Sequence, residues 1–198
     1  MSISLVNVSK SYDKKVIISN LSYDFPDKGT VVITGPSGVG KTTLLRIISG
    51  IEKNFDGQVL YSDNIVISFS FQEHRLFPNL TAVENLTKIL FNKPTQDDYI
   101  RACSMLYRLG LSSSDINLYP RELSGGMKQR VSLARAFLHD SNVILLDEPT
   151  KELDPALVKT VTEIISELSE DKLLIIVSHD TDFVAALNSK VITLDYAK

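Results

Sequence analysis

Two glycine-rich segments and one acidic strand end carry most of the chemistry available to this chain. The first segment reads Gly35-Pro36-Ser37-Gly38-Val39-Gly40-Lys41-Thr42. Its glycines let the backbone curl so that several N–H groups face a single anion. A helix expected to follow would present its positive N-terminal end to the same anion. Lys41 has the reach to meet the β- and γ-phosphates of a nucleotide as a point charge, and the Thr42 hydroxyl suits Mg²⁺. An apolar strand, Val31-Val32-Ile33, runs into the loop and a helix leaves it. That context separates a phosphate loop from a glycine turn that merely caps a helix.

The acidic end is Val143-Ile144-Leu145-Leu146-Asp147-Glu148. A strand ending in acids places them at the carboxyl edge of a parallel sheet, where ligands bind in such folds. Adjacent strand residues point to opposite faces, so the two acids are expected to divide their work. Asp147 would complete the Mg²⁺ shell, and Glu148 would orient and deprotonate an attacking water. The second glycine segment, Ser124-Gly125-Gly126, opens a helix and so offers another set of free N–H donors. Its chemistry alone leaves two readings open, an anion site or a Ser-capped helix with a flexible approach. Gln72 at a strand end, His179 two residues beyond Leu173–Val177, and Tyr12 upstream of the loop read as ordinary polar or aromatic positions taken singly. His74 and His139 read as a surface loop and a helix end.

These residues need elements to hold them. Ser2–Val8 and Leu21–Phe25 alternate weakly as strands, and Gln58–Tyr61 and Ile65–Phe71 are further strand candidates. Thr42–Ser49 has apolar residues at helical spacing, with Gly50 as a stop. From Leu80 to about Phe137 no strand is expected. Helices there run over Leu80–Phe91, from a Thr95/Asp98 capping box to Leu109 or Gly110, and from Ser124 to about His139. Strand and helix then alternate: Val143–Leu146, Pro155–Leu168, Leu173–Ser178, Thr181–Leu187 and Val191–Leu194. Asp154-Pro155 is a strong helix start. The pattern predicts one α/β domain over 1–198, with a mainly parallel central sheet covered on both faces and a helical subdomain over about 73–137 inserted in it.

In order along the chain, Tyr12, the phosphate loop, Gln72, Leu123-Ser124-Gly125-Gly126-Met127-Lys128-Gln129, Asp147-Glu148, Asp154 and His179 resemble the nucleotide-binding subunit of ATP-binding cassette (ABC) transporters from end to end. The resemblance implies the P-loop NTPase fold of that family, with a small N-terminal antiparallel β region. It implies an ATPase using ATP and Mg²⁺, working as a head-to-tail dimer of identical or related cassettes. Each ATP would lie between the phosphate loop of one subunit and Ser124-Gly125-Gly126 of the other, which resolves the open reading of that segment. Nucleotide contacts would come from Tyr12, stacked on adenine, and from Gly35 to Thr43, including Pro36, Ser37, Val39 and Thr43. Gln72 would sense Mg²⁺ and the γ-phosphate, giving Thr42, Gln72 and Asp147 as the metal set. Glu148, His179, Gln72 and Lys41 would carry catalysis, and Asp154 would lie at the dimer interface.

Phe71-Gln72-Glu73-His74-Arg75-Leu76-Phe77-Pro78-Asn79-Leu80-Thr81 and Tyr119-Pro120-Arg121-Glu122-Leu123 look like segments of importers for nitrate, sulfonates and taurine. Met127 stands where the signature more often has Gln, and Lys151 and Glu152 stand where many relatives have small residues. The interval between Lys41 and Gln72 is shorter than in most relatives, and no C-terminal regulatory domain like that of some sugar importers is expected.

Composition narrows the partners. The 198 residues are 43% hydrophobic and 23% charged, with a net charge of −3. That balance disfavours a nucleic-acid surface and direct adhesion to anionic lipid. No apolar run is long enough to span a bilayer, and no signal peptide is expected. Cys103 is the only cysteine, so an internal disulfide and a cysteine metal site are excluded. The leading expectation is therefore an ATPase subunit on the cytoplasmic face of a cell membrane. Its transmembrane permease would be a separate chain, and an external solute-binding protein would serve an importer. The alternative is a soluble ABC ATPase acting on ribosomes or DNA, disfavoured by the acidic balance and the absence of a second cassette.

Overall fold

The computed structural model describes residues 3–13 and 15–196. A three-stranded antiparallel sheet is built from β1 (Ile3–Tyr12), β2 (Lys15–Asp24) and β4 (Asp56–Tyr61), in the order β2-β1-β4. The second sheet has five strands, all parallel. It consists of β3 (Gly29–Thr34), β5 (Ile67–Ser70), β6 (Val143–Asp147), β7 (Leu173–Val177) and β8 (Ser189–Thr193), in the order β5-β6-β7-β3-β8.

Alternation along the central strands explains why their apolar runs are unbroken. Val31, Ile33, Val143, Leu145, Leu173, Ile175 and Val177 pack in one cluster with α1 (Lys41–Ile48) and the small sheet. Val32, Ile144, Leu146, Leu174 and Ile176 pack in the other, with α2 (Glu84–Leu90), α3 (Gln96–Arg108), α4 (Gly125–Leu138) and α5 (Pro155–Ser169). Both faces of a parallel sheet are covered, so every residue of β6 and β7 is buried. The last helix, α6 (Thr181–Ala186), follows β7.

The expected helical insert is present: between β5 and β6 the described residues form helices and no strand. The Thr95/Asp98 capping box and the Asp154-Pro155 start both form as expected. Three expectations are corrected. The second strand runs over Lys15–Asp24 and not from Leu21: its first half holds the run Val16-Ile17-Ile18, of which only Ile18 is buried, and it pairs with β1 through register shifts, so no two-residue alternation marks it. The first strand extends to Tyr12, and its expected start at Ser2 lies outside the described residues. The first helix of the insert begins at Glu84, not Leu80. Buried Asn85 instead accepts from the Phe77 N–H and donates to the carbonyls of Phe77, Leu80 and Thr81, holding that stretch as a loop. That loop follows Gln72, and Arg135 holds its near end through the His74 and Arg75 carbonyls.

Candidate active site

A cavity of about 600 Å³ opens at the carboxyl edge of β3, β7 and β6. Tyr12, Gly35, Ser37, Gly38, Gly40, Lys41, Thr42, Thr43, Gln72, Asp147, Glu148 and His179 line it, so residues far apart in the sequence are gathered at one edge of the sheet. Pro36 and Val39 belong to the same loop but do not line the cavity. Val39 turns its side chain into the core, so any nucleotide contact from it is through the backbone.

The phosphate loop is held open by contacts a larger residue would destroy. Gly40 caps α1 at φ 112°, and a Cβ there would come 2.6 Å from Ile17 Cγ2. From the first position of α1, Lys41 folds back and donates to the carbonyls of Gly35 (2.8 Å) and Pro36 (3.0 Å). At the outer end Tyr196 donates to the Ser37 carbonyl at 3.0 Å. The result is a braced loop at the N-terminus of α1, an arrangement that favours a bound anion.

Alternation along β6 puts Asp147 on the α1 face, where it is 2% exposed. Burial pushes its carboxyl above the usual range, the Thr42 hydroxyl opposes that shift, and the Glu148 charge adds to it. Asp147 Oδ1 is buried without a hydrogen-bond partner. A buried carboxylate oxygen with an open acceptor site beside a threonine hydroxyl fits a hard cation such as Mg²⁺. Among the described residues no group of three His, Cys, Asp or Glu could hold a metal alone.

A buried acid with a raised pKa costs the fold stability above that pKa, and the cost vanishes below the unfolded value of about 3.9. Asp147→Asn should therefore raise the melting temperature of the nucleotide-free protein in chelator at pH 7. Each kcal/mol released corresponds to about 2–4 °C. The gain should disappear as pH falls toward 4. A lower melting temperature at pH 7 would show that the carboxylate is instead well paired in the fold.

Glu148 does not behave as a strand residue. β6 ends at Asp147, and Glu148 turns at φ 53°, so the expectation that the two acids point to opposite faces is corrected. The turn is fixed by the Glu148 N–H donating to the Val177 carbonyl at 2.9 Å. It brings both acids to one cavity. Positive φ is uncommon for a side-chain-bearing residue and concentrates at functional sites. The Glu148 carboxylate lies 2.8 Å from His179 Nδ1, with the His179 N–H nearby at 3.4 Å. Glu148 is mostly buried while His179 is 73% exposed, so the imidazole reaches out from a fixed carboxylate.

At the far end of the cavity Tyr12 is 42% exposed. Its hydroxyl donates to Glu52 at 3.2 Å, and Lys10 Nζ lies 4.6 Å from the ring centroid. The ring is thereby fixed with apolar Ile17 on the same cavity wall.

Ser124, Gly125 and Gly126 do not line this cavity. Ser124 caps α4 by accepting from the Met127 N–H, and Gln129 ties α4 to the Pro149 carbonyl behind the acids. Sequence reasoning missed Ile17, Val177 and Tyr196, and it singled out Lys151 only as a departure from relatives, not as a cavity residue. Strand pairing brings Ile17 and Val177 to the cavity, and Tyr196 reaches the loop just beyond the end of β8; none of them carries a local motif.

The family model for ABC transporters matches residues 18–151. The chain belongs to the ABC transporter family. It is 36% identical over 208 residues to the aliphatic sulfonates import ATP-binding protein SsuB of Bacillus cereus, covering 98% of this chain and 81% of that one. It is 33% identical over 216 residues to the glutamate/aspartate import ATP-binding protein GltL of Escherichia coli, covering 99% and 88%. Among solved structures, a dimeric post-hydrolysis state of the ATP-binding cassette MJ0796 bound to ADP and Pi superposes with a TM-score of 0.89 at 30% identity. That match covers 98% of this chain and 94% of the other. The chain is an ATPase of this family.

Proposed function

We propose that this chain is the ATP-hydrolysing subunit of a membrane importer, working as a head-to-tail pair of cassettes beneath a separate transmembrane permease. The observation that carries the catalytic half is the fixed Glu148–His179 pair beside the phosphate loop. The loop N–H groups and Lys41 bind the β- and γ-phosphates, and Tyr12 stacks on adenine. Glu148 orients and deprotonates the attacking water, and His179, anchored on Glu148, reaches the γ-phosphate. Thr42, Gln72 and Asp147 would hold Mg²⁺, which when bound neutralises phosphate charge. Ser124, Gly125 and Gly126 lie outside the cavity, which supports their acting on ATP carried by the partner subunit.

The importer half rests on the relatives, whose names assign them to import of sulfonates and of glutamate or aspartate. The solute is a small anion or organic molecule delivered by an external solute-binding protein. No helix among the described residues is long and apolar enough to cross a membrane, so the membrane path is assigned to the permease. The chain sits on it peripherally at the cytoplasmic face. Affinity purification of the chain from membranes in mild detergent should bring down a polytopic membrane protein in stoichiometric amount. Recovery of ribosomes or DNA instead would replace this reading with the soluble alternative.

If Tyr12 stacks on adenine, Tyr12→Ala should weaken ATP binding by about 1–3 kcal/mol, the range for base–aromatic stacking. Tyr12→Phe and Tyr12→Trp should largely keep it in the same titration. Equal loss in all three would assign the effect to the hydroxyl held by Glu52.

A further inference from the structure

We infer that Lys151 and Glu152 form a reciprocal pair of ion bridges across the cassette dimer, Lys151 of each subunit meeting Glu152 of the partner subunit. The inference rests on the head-to-tail arrangement proposed above.

The two charges lie side by side in sequence but serve different places. Lys151 lines the nucleotide cavity beside Glu148 and His179. Its N–H donates to the Glu148 carbonyl at 3.2 Å, which ties it to the catalytic turn. Glu152 turns the other way, at φ 67°. Its carboxylate lies on Gly125, where any Cβ would overlap it, and its carbonyl oxygen would be 2.8 Å from a Cβ on Gly126. One residue of the pair thus belongs to the cavity rim and the next to the start of α4. Neither has an ion-pair partner within its own chain among the described residues.

In a two-fold dimer, residue i of one copy meets j of the other and j meets i. If the start of α4 of one subunit covers the cavity of the other, Glu152 of the partner subunit is carried to the rim that holds Lys151. The same contact recurs at the second site. Within the lone subunit the Glu152 carboxylate sits where the N-terminal end of α4 attracts negative charge. An incoming γ-phosphate needs that position and would be repelled by the carboxylate. Lys151 across the interface supplies the cation that draws it aside, so closure and phosphate capture are coupled.

The test is a charge exchange in a Glu148→Gln background, reading ATP-induced dimerisation by sizing chromatography with light scattering. ATP affinity of each dilute monomer is titrated first, so that loss of dimer is not confused with loss of nucleotide. Lys151→Glu and Glu152→Lys should each weaken the dimer by about tenfold or more, since each sets like charges against one another. The double exchange should restore it to within about threefold of the parent. A dimeric parent with no weakening in the singles, or with additive losses in the double exchange, overturns the ion pair and leaves the head-to-tail reading standing. A parent that dimerises equally well with Ser124→Arg overturns the head-to-tail reading, and the pair falls with it.

Discussion

Glu148→Gln should bind ATP with nearly native affinity and hydrolyse it about 10²–10⁴-fold more slowly, the usual contribution of a positioned general base. The substitution keeps shape and removes only the acceptor that draws a proton from water. His179 then loses its charged partner at 2.8 Å, while the turn at residue 148 persists because the Val177 carbonyl, not the carboxylate, fixes it. ATP held between two subunits stabilises their association by mass action, and hydrolysis ordinarily ends that state. The variant should therefore accumulate as an ATP-bound dimer on a sizing column with light scattering. Adding Ser124→Arg should return it to a monomer without loss of bound nucleotide, since Ser124 caps a helix outside the cavity. A monomeric Ser124→Arg protein that no longer binds ATP would place α4 in its own subunit's site and refute the cross-subunit arrangement.

Lys41→Ala should cost about 2–5 kcal/mol of ATP affinity, the range for removing one partner of a desolvated charge pair. Calorimetric titration is the measurement. Two effects combine in that loss. The cation proposed to face the β- and γ-phosphates disappears, and so do the braces to the Gly35 and Pro36 carbonyls that hold the loop in shape. The first effect should make the loss larger for ATP than for ADP. The second should weaken both alike. Unchanged affinity for either nucleotide would move the site away from this loop.

Sequence alone was enough wherever a local rule decides the outcome. Helix starts at Thr95 and Asp154 form because their caps satisfy N–H groups within three residues. The unbroken apolar runs of β6 and β7 identify a parallel sheet buried on both faces, since no half-exposed strand could tolerate them. The order of the glycine, glutamine, acidic and histidine motifs along the chain was sufficient to place it in its family.

Tertiary structure decided what depends on pairing between distant segments. The strand order sets β7 between β6 and β3, and this brings His179 to Glu148 across 31 positions. The turn that puts both acids on one cavity is fixed by a carbonyl of another strand, so no pattern around Asp147-Glu148 could announce it. Tyr12 gains Ile17 as a neighbour because β1 and β2 pair, and the phosphate loop gains Tyr196 because β8 lies beside β3. The separation of Lys151 from Glu152 is likewise invisible in a sequence where they are adjacent. It arises because one backbone is tied to the catalytic turn and the other is bent over the start of a helix that lies well upstream in the chain.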